Sequence, residues 1–167
     1  MALPSFVAGG RPLGPLLQAL LPIRAAKAAD TTLVSTTTFS NDPDLFIGVS
    51  ANCEYDIAVQ LFYTQGAVGQ LLIAWTAPAL ATFDWMAVAL DNSVTASNAG
   101  SVRLLARTVS DTQQFGGNTS PGAARVTGRL VVGTTPGTLQ LRWAPSASSG
   151  TGTVVKAGSY MVGTQIA

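Results

Sequence analysis

The chain has 167 residues, no histidine, one cysteine and eight acidic side chains, of which Glu54 is the single glutamate. That length suits one domain with or without an appendage, and it is enough to bury a core without disulfide staples. Lacking imidazole, the chain has no Ser-His or Cys-His nucleophile and little material for a metal site, and a net charge of +1 makes no electrostatic case for nucleic acid.

Residues 1–29 come first and differ from the rest. They hold Pro4, Pro12, Pro15 and Pro22 with Gly9, Gly10 and Gly14. Among them Leu13, Leu16, Leu17, Leu20 and Leu21 recur at i, i+3, i+4, i+7 and i+8, the spacing of one helical face. Pro15 suits a first helical turn and Pro22 ends the run, so a helix here has barely two turns and needs a surface to lie on. The segment reads as an anchoring arm. A signal peptide fits less well, because Arg11 is the only upstream cation and Pro15, Gln18 and Pro22 interrupt the apolar run.

From residue 30 to 167 the period changes to two. Tyr55, Ile57, Val59, Leu61 and Tyr63 alternate with Asp56, Ala58, Gln60 and Phe62. Leu71, Ile73 and Trp75 repeat the pattern, followed by Phe83, Trp85, Ala87 and Ala89. Val126, Gly128, Leu130 and Val132 oppose Arg125, Thr127 and Arg129, and Leu139, Leu141 and Trp143 oppose Gln140 and Arg142. Such alternation predicts strands with one buried face. Further strands are expected near 31–39, 45–49, 102–109, 153–156 and 159–166. Asn41-Asp42-Pro43-Asp44 reads as a turn, 111–122 as an exposed Gly/Ser-rich loop, and Thr135-Pro136-Gly137-Thr138 as a type II turn closing a hairpin. The fold class is all-β: an antiparallel sandwich, best matched by a jelly roll, carrying a short Pro/Leu-rich N-terminal arm.

The candidate sites are thin. The aspartates are scattered, and Asp42 and Asp44 offer too few oxygens for calcium. Trp75, Trp85 and Trp143 have the chemistry to stack on sugar rings, but all three fall on the apolar phase of their strands, which favours core packing. Arg103, Arg125, Arg129 and Arg142 take outward phases and suit solvent or contacts between subunits. No cofactor is expected. Only 10% of residues are charged against ~25% in ordinary soluble domains, which suits a subunit that buries much of its surface against neighbours.

A run of short segments carries a resemblance. Asp30-Thr31-Thr32-Leu33-Val34-Ser35-Thr36-Thr37-Thr38-Phe39-Ser40-Asn41-Asp42-Pro43-Asp44-Leu45 is followed by Val49-Ser50-Ala51-Asn52 and Thr76-Ala77-Pro78. Then come Thr138-Leu139-Gln140-Leu141-Arg142-Trp143-Ala144 and Val154-Val155-Lys156-Ala157-Gly158-Ser159-Tyr160. In this order, across 28–166, the chain resembles the β-rich structural, minor tail and head-surface proteins of tailed bacteriophages of actinobacteria. The resemblance implies a jelly-roll-like module on the particle exterior, commonly a homotrimer, that contacts a major capsid or tail protein and has no catalytic residue. The short arm departs from the long shaft of a tail fibre and favours a decoration or accessory subunit. The alternative is a receptor-binding tail-fibre or tail-tip module that recognises a host-surface glycan.

Overall fold

A computed structural model describes residues 21–92, 94 and 101–167. Thirteen strands run in chain order: β1 (Ile23–Ala26), β2 (Thr31–Leu33), β3 (Ser40–Val49), β4 (Glu54–Thr64), β5 (Leu71–Thr76), β6 (Thr82–Leu90) and β7 (Val102–Arg103). They continue with β8 (Ala106–Arg107), β9 (Gln113–Gln114), β10 (Gly122–Val131), β11 (Gly137–Pro145), β12 (Thr153–Val155) and β13 (Tyr160–Gln165). No helix occurs among the described residues. Leu13, Leu16, Leu17 and Leu20 lie outside them, and Leu21 is 65% exposed.

The ladders identify the topology. β3 pairs β11, β4 pairs β10, β5 pairs β9, and β6 pairs β7 and β8, all antiparallel. These are the successive rungs of one long hairpin. Two further ladders, β11 with β5 and β10 with β6, roll that hairpin into two facing sheets. The smaller sheet has the order β3-β11-β5-β9, and the larger contains β4-β10-β6 with β7 and β8 at its edge. This is the jelly roll expected from the sequence.

The larger sheet is extended beyond β4. β13 and β12 both pair with β4, and β1 and β2 pair with β13 and β12 in turn. Residues 23–26, read from the sequence as part of the arm, are therefore an edge strand of the sheet. The sheet thus takes in residues before residue 30.

The core follows from the alternation. In β4 the odd residues from Tyr55 to Tyr63 are buried and face Leu45, Ile47, Leu71, Ile73, Leu139 and Leu141 of the smaller sheet. Trp75 meets Phe83 and Trp85 edge-to-face, with ring centroids 5.3 and 6.2 Å apart. Gly128 lies directly behind this cluster. A Cβ at that position would come within 2.7 Å of the Phe83 ring and 2.8 Å of Trp85 Cβ, so only glycine lets β10 approach.

Five sequence expectations are corrected. Thr135–Thr138 closes no hairpin: β10 and β11 belong to different sheets, and Gly137 lacks the positive φ that a type II turn requires. The 111–122 segment is no exposed loop, because β9 docks on β5 and buries Gln113 and Phe115. The strand expected at 31–39 stops at Leu33, and 102–109 yields two short pairs on the β6 edge. Finally, Asn41–Asp44 belongs to β3 rather than to a turn between strands.

Candidate functional site

That last correction exposes an internal charge cluster. The register of β3 against β11 slips between Gln140 and Arg142, leaving Asp42–Leu45 bulged from the ladder. Asp42 Oδ1 accepts hydrogen bonds from the backbone N–H of Asp44 (3.0 Å) and Leu45 (3.1 Å), which is Asx-turn chemistry set inside a strand. Pro43 is tolerated because β3 is an edge strand. Trp143 Nε1 donates to Asp42 Oδ2 at 3.1 Å. Opposite, the Lys27 ammonium lies 3.0 Å from Asp42 Oδ2 and 3.2 Å from Asp44 Oδ2, with the side chains of Lys27 and Asp42 both fully buried. An ammonium thus occupies the place that a bound cation would take between these two carboxylates. The cluster is a clamp between the strand after the arm and the core.

The three tryptophans are core residues, none more than 4% exposed. Trp85 Nε1 donates to the Thr108 carbonyl at 2.8 Å, and Trp143 is held by Asp42. Buried rings cannot stack on a glycan. Tyr63, also buried, donates its hydroxyl to the Gly116 carbonyl at 2.7 Å, and burial pushes its pKa up to about 12. Two exposed aspartates move the other way. Asp30 is lowered by the Ala157 N–H and by Lys156, and Asp111 by the Thr108 N–H and hydroxyl.

Of the arginines, Arg129 pairs with Glu54 at 2.6 Å and Arg125 is exposed beside it on β10. Arg142 stands on the other sheet, with its guanidinium 5.7 Å from the centre of the Phe39 ring. Only the backbone of Arg103, in β7, is described. The four do not converge.

What does converge is the outer face of the larger sheet. Registers place its side chains in transverse rows. One row runs Thr164, Asp56, Arg129, Asp84, and the next Val162, Ala58, Thr127, Met86, Ala106. The third runs Tyr160, Gln60, Arg125, Val88. Phe62 and Ala123 sit opposite each other beyond it, and Val102 lies at the β6 edge. The large apolar residues Phe62, Met86, Val88, Val102, Leu104 and Tyr160 are between 37% and 57% exposed. A shallow groove of about 490 Å³ crosses this face between Asp56, Asp84, Met86 and Arg107. The individual strands show the outward phase in sequence, but the alignment that gathers these residues into one patch depends on register and was not legible there.

Asp56 and Asp84 stand two strands apart, on either side of Arg129, both open to water. A glycosidase pair instead works in a cleft that sets the two carboxyls in different environments. Among the described residues no group of three or more His, Cys, Asp or Glu is disposed to hold a metal. No helix there is long and apolar enough to cross a membrane.

No protein-family model matches the sequence, and the curated proteins yield no match. Among solved structures, the infectious bursal disease virus VP2 subviral particle aligns with a TM-score of 0.26 and 11% identity, covering 88% of this chain and 40% of that one. The structure of the Gx strain of infectious bursal disease virus gives a TM-score of 0.26 and 8% identity over 87% and 41%. The chain spans about two fifths of the length of these proteins. Scores of this size are below what a shared fold gives, and the jelly-roll assignment rests on the strand ladders.

Proposed function

We propose that this chain is a non-enzymatic structural subunit of a phage virion, an exterior decoration or accessory protein. It self-associates through the sandwich and docks on a major capsid or tail protein through its N-terminal arm. One observation carries the reading: the outer face of the larger sheet exposes Phe62, Met86, Val88 and Tyr160 together, in a chain whose three tryptophans are spent on its core. A surface patch of this kind marks an interaction site rather than a substrate pocket. The sequence resemblance over residues 28–166 supports the virion setting, and the low charge supports a buried, assembled state.

The Lys27 clamp gives the arm a mechanical role. A strand hydrogen-bonded to β13 and tied inward by a buried ion pair transmits load from the arm directly into the core. The test is deletion of residues 2–20, which leaves β1 and Lys27 in place. The truncated protein is expected to keep its β-rich circular dichroism and melting temperature yet fail to incorporate into particles. Unimpaired incorporation would refute the docking role.

A further inference from the structure

We infer that the outer face of the larger sheet is a self-complementary interface that pairs two copies of this chain about a two-fold axis. The axis lies in the plane of contact and runs across the strands at the level of Thr127 and Met86. The inference deepens the self-association part of the proposed function and replaces the trimer implied by the resemblance with a face-to-face pair.

Thr127 is flanked in register by Ala58 and Met86, so the middle row is uncharged from Val162 to Ala106, with Arg24 at its β1 end. Two residues along β10 in one direction is Arg125, flanked by Gln60 and Val88. Two residues in the other is Arg129, flanked by Asp56 and Asp84. Arg129 is already matched by Glu54. Among the described residues Asp56 and Asp84 have no ion-pair partner, and neither does Arg125. The face therefore has an unmatched cation on one side of an uncharged row and unmatched anions on the other, separated by four residues, or about 13 Å along the strand.

A two-fold rotation about the middle row exchanges those sides. It brings Arg125 of each copy opposite Arg129 of the other, with Asp56 and Asp84 one strand to either side, about 4.8 Å away and within reach of the Arg125 side chain, while Thr127 and Met86 meet their own counterparts. Both charge contacts form at once, around a centre of Met86, Ala58, Val88 and Tyr160. Arg24, in register with Val162 at the β1 edge, meets its own counterpart on the rim, where water screens the repulsion.

The size is adequate. Four strands of six or more residues about 4.8 Å apart, with the short β1, β7 and β8 beside them, give a face on the order of 500–600 Å², at the small end of specific interfaces. Two sheets stacked face to face lie about 10 Å apart, the distance at which such side chains interdigitate.

Three measurements on the full chain test this. Sedimentation equilibrium from 1 to 100 µM is expected to show a species of twice the 17.1 kDa chain mass. Arg125→Asp alone, and the Asp56→Arg/Asp84→Arg pair alone, are each expected to weaken dimerisation at least tenfold with melting temperatures unchanged. Mixing the two variants restores both charge contacts, so native mass spectrometry is expected to show heterodimers in excess of either homodimer. Thr127→Cys is expected to be joined into a dimer by a short bis-maleimide cross-linker, which spans the gap between sheets about 10 Å apart, whereas Phe46→Cys, on the outer face of the smaller sheet, is not. A strictly monomeric or trimeric chain, or a dimer indifferent to these substitutions, overturns the inference. The proposed virion role would survive that failure if the chain still joins particles, so the two readings fail separately.

Discussion

Replacing Lys27 with methionine removes the charge while nearly preserving volume. In the structure it strips a fully buried carboxylate of the only counter-ion at hydrogen-bonding distance among the described residues. Asp42 keeps the Asp44 and Leu45 N–H groups and the Trp143 indole, so its hydrogen bonds are partly satisfied but its charge is not. Breaking one side of a buried pair costs about 3–5 kcal/mol, which is a third or more of the ~5–15 kcal/mol that holds a domain folded. Asp42→Asn is the complementary change: it leaves an acceptor for the N–H donors and a buried ammonium with Asp44 alone. The double variant removes both charges and is expected to be more stable than the sum of the single losses, by at least about 1.5 kcal/mol of coupling. Urea unfolding followed by tryptophan fluorescence reads all four proteins, and an unchanged m-value licenses the comparison. A loss below about 0.5 kcal/mol for Lys27→Met, or strict additivity in the double variant, would refute the clamp.

Three other outcomes follow from the same geometry. Gly128→Ala puts a methyl 2.6 Å from the Asp84 carbonyl oxygen and against Phe83 and Trp85, and is expected to cost about 1–3 kcal/mol by thermal or urea unfolding. Trp75→Ala opens the Trp75–Phe83–Trp85 cluster and is expected to cost about 3–5 kcal/mol; weak binding to a glycan array with an unchanged melting temperature would instead favour the lectin alternative. Tyr63 binds its proton more tightly folded than unfolded, so its contribution of about 2–3 kcal/mol is intact below pH 10 and lost as pH rises from 10 to 12. Tyr63→Phe, which lacks the titrating group, is expected to flatten that part of the stability profile.

How much of this was legible in the sequence depends on how local each signal is. The alternation in β4 needs only its own eleven residues, and the structure buries every odd position from Tyr55 to Tyr63. The tryptophan phases were readable for the same reason. Pairing was not. Pro136-Gly137 has turn chemistry, but nothing local says whether the next strand returns to the same sheet or crosses the sandwich, and here it crosses. Asp42-Pro43-Asp44 has the composition of a turn and was read as a break between strands, but a bulge on an edge strand uses the same residues. Lys27 carried no signal at all: its partner lies fifteen residues away in sequence, across a sheet-to-sheet contact. The outer patch likewise emerges only when β13, β4, β10 and β6 are set in register.

The central claim is that this chain is a component of an assembled particle. Its most direct test is to purify virions from a lysate containing the protein through a density gradient and a high-salt wash. The chain is then quantified by mass spectrometry against the most abundant particle protein. A constant ratio across independent preparations, with the chain banding at particle density, is the expected result. Recovery of the chain only in the soluble fractions, with none at particle density, would contradict the account.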